Sequence, residues 1–485
     1  MILGDITEFT PAPGRILRWR PTESSSAAAA AAPVDPGAPS ILQTDHLAAY
    51  RNLLRNGGTH RAWTGVATSV SGALDRDAMT RALHRFLAMH AGLRTWFDVS
   101  APNPVRRLVP PESIEFEIVE DELTVGESGT WHAALSEYLT DRFDTECTPG
   151  SWPGFAFGVV EAADEFGVFW GCDHAFTDGA SQLMLPSDLA DLYAAEVAGA
   201  DGAGLPAADE VGGFPTYAEE ERAAAEEYGP DSPEVSEWVR MVADNGARLP
   251  TFPLPLGLED GEKGQVVVRT MTLLEGDEVD AFDRVCADAG GRATGGVFAA
   301  VAAADHALAG RERYFGVTVL STRDRGPYAR SQGWFCAFAP VEFDVASASG
   351  FGELVARAQA AFRQARGLAV TPVNVVLETL VTGGVCSPEE LGSPQLLSYL
   401  DLRRFPRVGT EAERNGVHFP GLGRTANASL WINRDAERLY LLAQVPDNPV
   451  AADSVARYHD KLREILRESV AGMRGRSRSG CDRCW

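Results

Sequence analysis

The stretch "GVFWGCDHAFTDGASQ", Gly167 to Gln182, decides how the rest of the chain is read. Its first half alternates along a strand, so Val168, Trp170, Cys172 and His174 fall on one face and Phe169, Gly171 and Asp173 on the other. The strand then breaks into a turn, and Gly179 removes a side chain where another backbone or a substrate can approach closely. "GASQLMLPSDLADLYAAEVAGA" follows with helical spacing, and Pro186 is expected to kink or restart that helix. An apolar strand feeding a turn and a helix sets a side chain at the rim of a sheet, and here that side chain is His174. Asp173 points the other way and is not the natural partner of the His174 ring. Alone, the HxxxDG pattern is weak evidence, and a hydrogen-bonded histidine at a strand end is the competing reading.

Working outward, "RAWTGVATSVSGAL" reads as a strand. "DRDAMTRALHRFLAMHAGL" reads as a helix with Asp75 as N-cap and Gly92 as stop, and "LRTWFDV" as a further strand. The second half offers the strands "GQVVVRTMTLL" and "YFGVTVLSTRD", the helices "GDEVDAFDRVCADAG" and "TGGVFAAVAAADHALAG", and the closing amphipathic "ADSVARYHDKLREILRESV". Mixed strands and helices in both halves predict an α/β protein of two lobes rather than a uniformly alternating barrel. The expected division is an N-terminal strap and low-complexity linker over 1–40, a first lobe carrying HxxxDG over 41–248, and a Pro-rich crossover over 249–260. A second lobe over 261–473 and a basic, Cys-containing, disordered tail over 474–485 complete it.

At 485 residues, with 45% hydrophobic and 23% charged residues, the chain is long enough for two or three cored domains. A net charge of −25 repels phosphate backbones and anionic lipid heads, which argues against nucleic acid and membrane surfaces as partners. Docking an acidic carrier protein would need a local basic patch. "DLRRFPR", with Arg403, Arg404 and Arg407, is a candidate, and a solvated charged turn is the plainer reading. Seven cysteines without repeated spacing suggest a reducing compartment, and no apolar run reaches the ~18 residues of a span. A cytoplasmic location is expected.

"DHAFTDG" resembles the second-histidine part of the HHxxxDG signature of condensation domains and polyketide-associated acyltransferases, which share a chloramphenicol-acetyltransferase-like fold. "LAMHAGLRTWF" is similar to their RHxxLRTxF motif, with Met89 where arginine is usual, and "LSTRD" to the segment supplying a structural arginine, here Arg323. "SPEVSEWVRMVADNGARLPTFPLPLG" and "SYLDLRRFP" resemble the stand-alone polyketide-associated branch. The resemblance implies two such lobes, each a mixed sheet with helices, with the active-site channel between them. It makes His174 the base or positioning group, Asp178 a structural carboxylate paired with Arg323, and Gly179 the residue that keeps the channel open. The departure is Asp173 in place of the first histidine.

The implied chemistry is acyl transfer from a thioester, carried by an acyl or peptidyl carrier protein or by coenzyme A, to a small-molecule alcohol or amine, in lipid, polyketide or nonribosomal-peptide assembly. A neutral imidazole takes the acceptor's proton near pH 7, so no covalent acyl-enzyme is required. Phosphopantetheine or coenzyme A enters only as part of the donor. The rival expectation is a module that has lost catalysis and recruits proteins, with Asp173 its main support. Cys172 reads as core filler rather than acyl carrier, and His90 as a packed structural histidine. His418 is expected either on the second-lobe side of the channel or in a loop facing solvent. Cys481 and Cys484 form a CxxC without a second ligand pair. No Walker loop, dinucleotide fingerprint or HExxH occurs, so no nucleotide cofactor or metal is implied.

Overall fold

The computed structural model describes residues 1–101, 103–126, 129–199, 210–406 and 408–479. The chain divides into two compact units, each of mixed α/β build. The first is Met1–Glu226 with Ser321–Phe335 and Phe405–Gly423, and the second is Glu227–Leu320, Cys336–Arg404 and Arg424–Trp485. Two segments expected in the 261–473 lobe therefore pack with the first unit, where each supplies side chains around the HxxxDG turn.

The first unit is built on a seven-stranded sheet in the order Ile2–Leu3, Val417–Pro420, Trp63–Ser71, Glu165–Asp173, Phe155–Glu161, Arg15–Pro21, Phe116–Asp121. The strand Glu165–Asp173 is central, paired antiparallel with Trp63–Ser71 on one side and Phe155–Glu161 on the other. Its alternation is the one expected. Phe169 joins the cluster of Leu135, Leu139, Phe143 and Phe419 on one face, under the helix Trp131–Glu146. Gly171 shares that face, and a Cβ there would lie 2.3 Å from the Phe143 ring, so the helix sits this close only over a glycine. Trp170 faces the other way, stacked on Phe155 with ring centroids 4.4 Å apart.

Residues 1–40 are not a strap. Arg15–Pro21 is an interior strand of the sheet, and Glu23–Ala30 is a helix capped by Thr22, with Ser25 and Ala29 buried. Alanine is the best helix former, so a segment that reads as low complexity becomes regular once Thr22 caps it. Gly179–Ala198 is one helix with Pro186 inside it, neither broken nor restarted there. Eleven of its twenty residues are buried, Pro186 among them, and that packing outweighs the local loss of one N–H donor. The helix Arg76–Met89 starts at the expected cap, Asp75, but ends at His90, and Gly92 lies in a 3-10 turn, Ala91–Arg94.

The second unit has its own seven-stranded sheet, ordered Cys336–Asp344, Arg313–Ser321, Leu396–Asp401, Ser429–Arg434, Arg438–Pro446, Gly264–Glu275, Arg424–Thr425. Its core includes Leu273, Phe282, Phe298, Ala300, Leu441 and Tyr458. As expected, Leu249–Gly257 adopts neither helix nor strand. The last helix spans Pro449–Ser479, so the first six residues of the expected disordered tail continue it. Cys481 and Cys484, like Arg407, lie outside the described residues. No helix among the described residues is long and apolar enough to cross a membrane.

Candidate active site

The strand Glu165–Asp173 ends in a 3-10 turn, His174–Phe176, and the helix Gly179–Ala198 begins three residues later. Neighbouring strands fix the turn: the His174 N–H donates to Ala62 O and the Asp173 N–H to Gly154 O, both at 2.9 Å. Gln43 Nε2 donates to Ala175 O at 2.8 Å, tying the turn to the helix Ile41–Arg55. His174 is thereby presented at the strand end rather than within the sheet.

The His174 ring is half-buried against Trp334, with centroids 4.2 Å apart and planes at 43°. Its Nδ1 is buried, with no partner from another described residue. Burial, and then the nearby His46 imidazole, lower its pKa from the ordinary 6.5. The ring is therefore neutral at pH 7 and able to accept a proton.

Asp178 caps the helix Gly179–Ala198, accepting from the Ser181 N–H at 2.7 Å. The same carboxylate accepts from Arg323 Nη2 at 2.7 Å and from the Phe335 N–H at 3.0 Å. Arg323 also donates to Ser181 Oγ, Tyr328 O and Ser331 O at 2.7, 3.1 and 2.5 Å, and its guanidinium lies 4.4 Å from the centre of the Phe335 ring. Structure thus brings together the two charges that the sequence motif pairs, both buried. A Cβ on Gly179 would meet nothing within 4 Å, so the helix begins beside open space.

Asp173 is fully buried at the end of the strand. Its carboxylate accepts from His46 Nε2 at 2.9 Å, His60 Nε2 at 2.5 Å and the Ala175 N–H at 2.8 Å. Burial pushes this carboxyl upward, but the His46 charge and the hydrogen bonds from both imidazoles win and hold it at about 2. Donor atoms of His46, His60 and Asp173 all lie within 4.8 Å of one another, a spacing that would suit a metal ion. Each Nε2 already donates to its own carboxylate oxygen, however, so the group is a charge network as it stands. Sequence reasoning missed His46, His60 and Trp334, since isolated residues up to 288 positions apart carry no spacing signal.

The remaining candidates do not supply the reacting group. Burial, and then Asp173, push the Cys172 thiol well above its usual value, so it is not a thiolate. His90 packs on Phe86 at 4.5 Å, and burial, then Arg323, bring it down to about 3. His418 sits in the strand Val417–Pro420 of the first unit and is buried, not in a solvent-facing loop. Pairing of this short run with Trp63–Ser71 places it there. Arg403 and Arg404 are both engaged by Asp401, at 2.8 and 3.2 Å, which reduces the positive charge they offer a partner.

Residues 55–382 match the condensation domain family. The chain is 30% identical over 477 residues to the 2'-acyl-2-O-sulfo-trehalose (hydroxy)phthioceranyltransferase PapA1 of Mycobacterium tuberculosis (strain CDC 1551 / Oshkosh), covering 97% of this chain and 89% of that protein. It is 27% identical over 473 residues to acyltransferase PapA3 of the same strain, covering 96% of each. Among solved structures, PapA2 acyl transferase superposes with a TM-score of 0.87 at 28% identity, covering 97% of this chain and all of that one. A buried motif pair, a presented imidazole and these likenesses over nearly the whole length converge: the chain belongs to the condensation domain family, as a stand-alone acyltransferase of the PapA type.

Proposed function

We propose that the enzyme moves an acyl group from a thioester, on a carrier protein or coenzyme A, to a hydroxyl of a polar acceptor, with His174 as general base. The observation that carries this reading is the state of His174: presented at a strand end and neutral, because burial and His46 outweigh the pull of Asp178 and Asp173, which are themselves engaged by Arg323 and by two other imidazoles. In the proposed step the acceptor O–H gives its proton to His174 as its oxygen attacks the thioester carbonyl. The tetrahedral adduct then collapses, the C–S bond breaks, and the departing thiolate takes the proton back. No enzyme nucleophile is needed, and the sealed Cys172 thiol could not serve as one. An alcohol acceptor, rather than an amine, is supported by relatives named for acylated sulfo-trehalose.

The rival reading, a module without catalysis that recruits proteins, rests on Asp173, and the residue in that place is held by two histidines. The test is His174→Ala with an acyl-coenzyme A panel, following thiol release and product mass. Turnover should fall ~10²–10⁴-fold while the melting temperature holds. Unchanged turnover would remove His174 from the mechanism.

A further inference from the structure

On the face of the first unit's sheet that leads to His174, the polar groups of His418 and Thr64, like Trp170 Nε1, are buried without hydrogen-bond partners among the described residues. Residues opposite each other on paired antiparallel strands project to the same side. Register places His418 opposite Val66, Val66 opposite Trp170, and Thr64 opposite both Cys172 and Pro420. His418, Thr64, Cys172 and Trp170 therefore share one face, with His174 just beyond Cys172. Gly65, Phe419 and Gly171 occupy the reverse face, against Phe143. His418 and Thr64 are 8% and 7% exposed, yet neither nitrogen of His418 nor the Thr64 hydroxyl has a hydrogen-bond partner among the described residues. Buried polar groups in folded proteins are nearly always paired, so two unpaired ones on the face that leads to His174 are open to a partner from outside the chain, water or ligand.

The chemistry of that ligand follows from the groups. Burial, then the neighbouring His174, hold His418 neutral, at about 4. A neutral imidazole donates through one nitrogen and accepts through the other, and a threonine hydroxyl does both. Their natural complement is a group that also does both, an alcohol, rather than an anion or a cation. Asp178, the carboxylate that acts on His418, is already engaged by Arg323. Open space lies at the Cβ position of Gly179, next in sequence to Asp178.

We infer that His418 and Thr64 form a subsite for a second hydroxyl of a polyhydroxylated acceptor, orienting the hydroxyl that His174 deprotonates. The inference rests on His174 being the base, and it makes His418 a determinant of acceptor choice. The experiment uses the full chain with His418→Phe and, separately, Thr64→Val, both close in shape to the native side chains. Trehalose binding is measured by calorimetry. Transfer from palmitoyl-coenzyme A is compared with trehalose and with 1-octanol, a single-hydroxyl acceptor.

Each variant should bind trehalose ~10-fold more weakly and lose kcat/KM for trehalose to match, while kcat/KM for 1-octanol stays within ~2-fold. His418→Phe should melt no lower than the parent, because it removes two unpaired buried atoms, whereas a structural histidine would leave a destabilised protein. Undiminished trehalose binding in both variants, no trehalose binding by the parent, or an equal loss with both acceptors would overturn the subsite. If the parent acylates neither alcohol, His174-assisted transfer falls, and calorimetry still decides whether these two residues bind a polyol.

Discussion

His60 Nε2 donates to Asp173 Oδ2 at 2.5 Å, across 113 residues of sequence, and fixes the last residue of the central strand immediately before His174. His46 takes the other carboxylate oxygen, so one buried anion anchors two imidazoles, and His46 in turn lies edge-on to Trp334, the ring that also covers His174. The arrangement separates two tasks that adjacent residues might otherwise confuse. Asp173 holds the turn, and burial keeps His174 neutral.

Asp173→Asn should lower stability by roughly 3–5 kcal/mol, since it removes the buried carboxylate that holds His46, His60 and the Ala175 N–H. Its acid profile should change as well. The folded pKa of Asp173, about 2, lies below its ordinary 3.8, so the group's contribution is fully present above pH ~4 and is lost as pH falls through ~2. Urea unfolding at stepped pH reads this directly, and an Asn variant that keeps the parent's acid limb below pH 4 would contradict the assignment.

Breaking the Asp178–Arg323 pair from either end should be costly in a way that surface ion pairs are not. Both side chains are buried, and each variant, Asp178→Asn or Arg323→Met, leaves a charged or polar partner stranded at a cost of about 3–5 kcal/mol. Arg323→Met additionally releases the hydrogen bonds to Tyr328 O and Ser331 O, so its melting temperature should fall at least as far. Equal thermal stability in parent and variants would show that the pair carries no structural load.

Mild acid should destabilise the enzyme before any carboxylate titrates. Burial leads the causes that lower His90, His418 and His459 to about 3, 4 and 4. Below pH ~6.5 the unfolded chain takes up protons that the folded state refuses, so stability falls with pH until the folded values are reached. Each buried imidazole contributes a slope of up to ~1.4 kcal/mol per pH unit across that window. Urea midpoints at pH 7, 6 and 5 should decline steadily, and His418→Phe should flatten the decline. A midpoint independent of pH over this range would mean that these rings are protonated in the folded state.

Where a signal was local or repeated a known motif, the sequence carried it. The period-two pattern from Val168 to Asp173 fixed which side chains share a face, and Asp75 marked a helix start because a cap acts within one turn. The Asp178–Arg323 pair was legible through the motif alone, since nothing in a charge pattern links residues 145 apart. The clasp on Asp173 had no such help: His46 and His60 belong to different elements and meet only when a helix, a loop and a strand end converge. Composition misled at Thr22–Ala30, where an alanine run resembles a linker but also has the highest helix propensity.

The first unit is assembled from three stretches of chain, Met1–Glu226, Ser321–Phe335 and Phe405–Gly423. During synthesis the HxxxDG turn therefore leaves the ribosome well before the residues that finish its surroundings. Arg323 and Trp334 follow about 150 residues later, and His418 almost 100 after those. Until then Asp178 is an unneutralised carboxylate and His174 lacks its aromatic wall. Assembly of this centre is consequently a late, non-local event with a large loop-closure entropy, and a nascent chain halted between the two lobes' segments would carry the motif without its machinery.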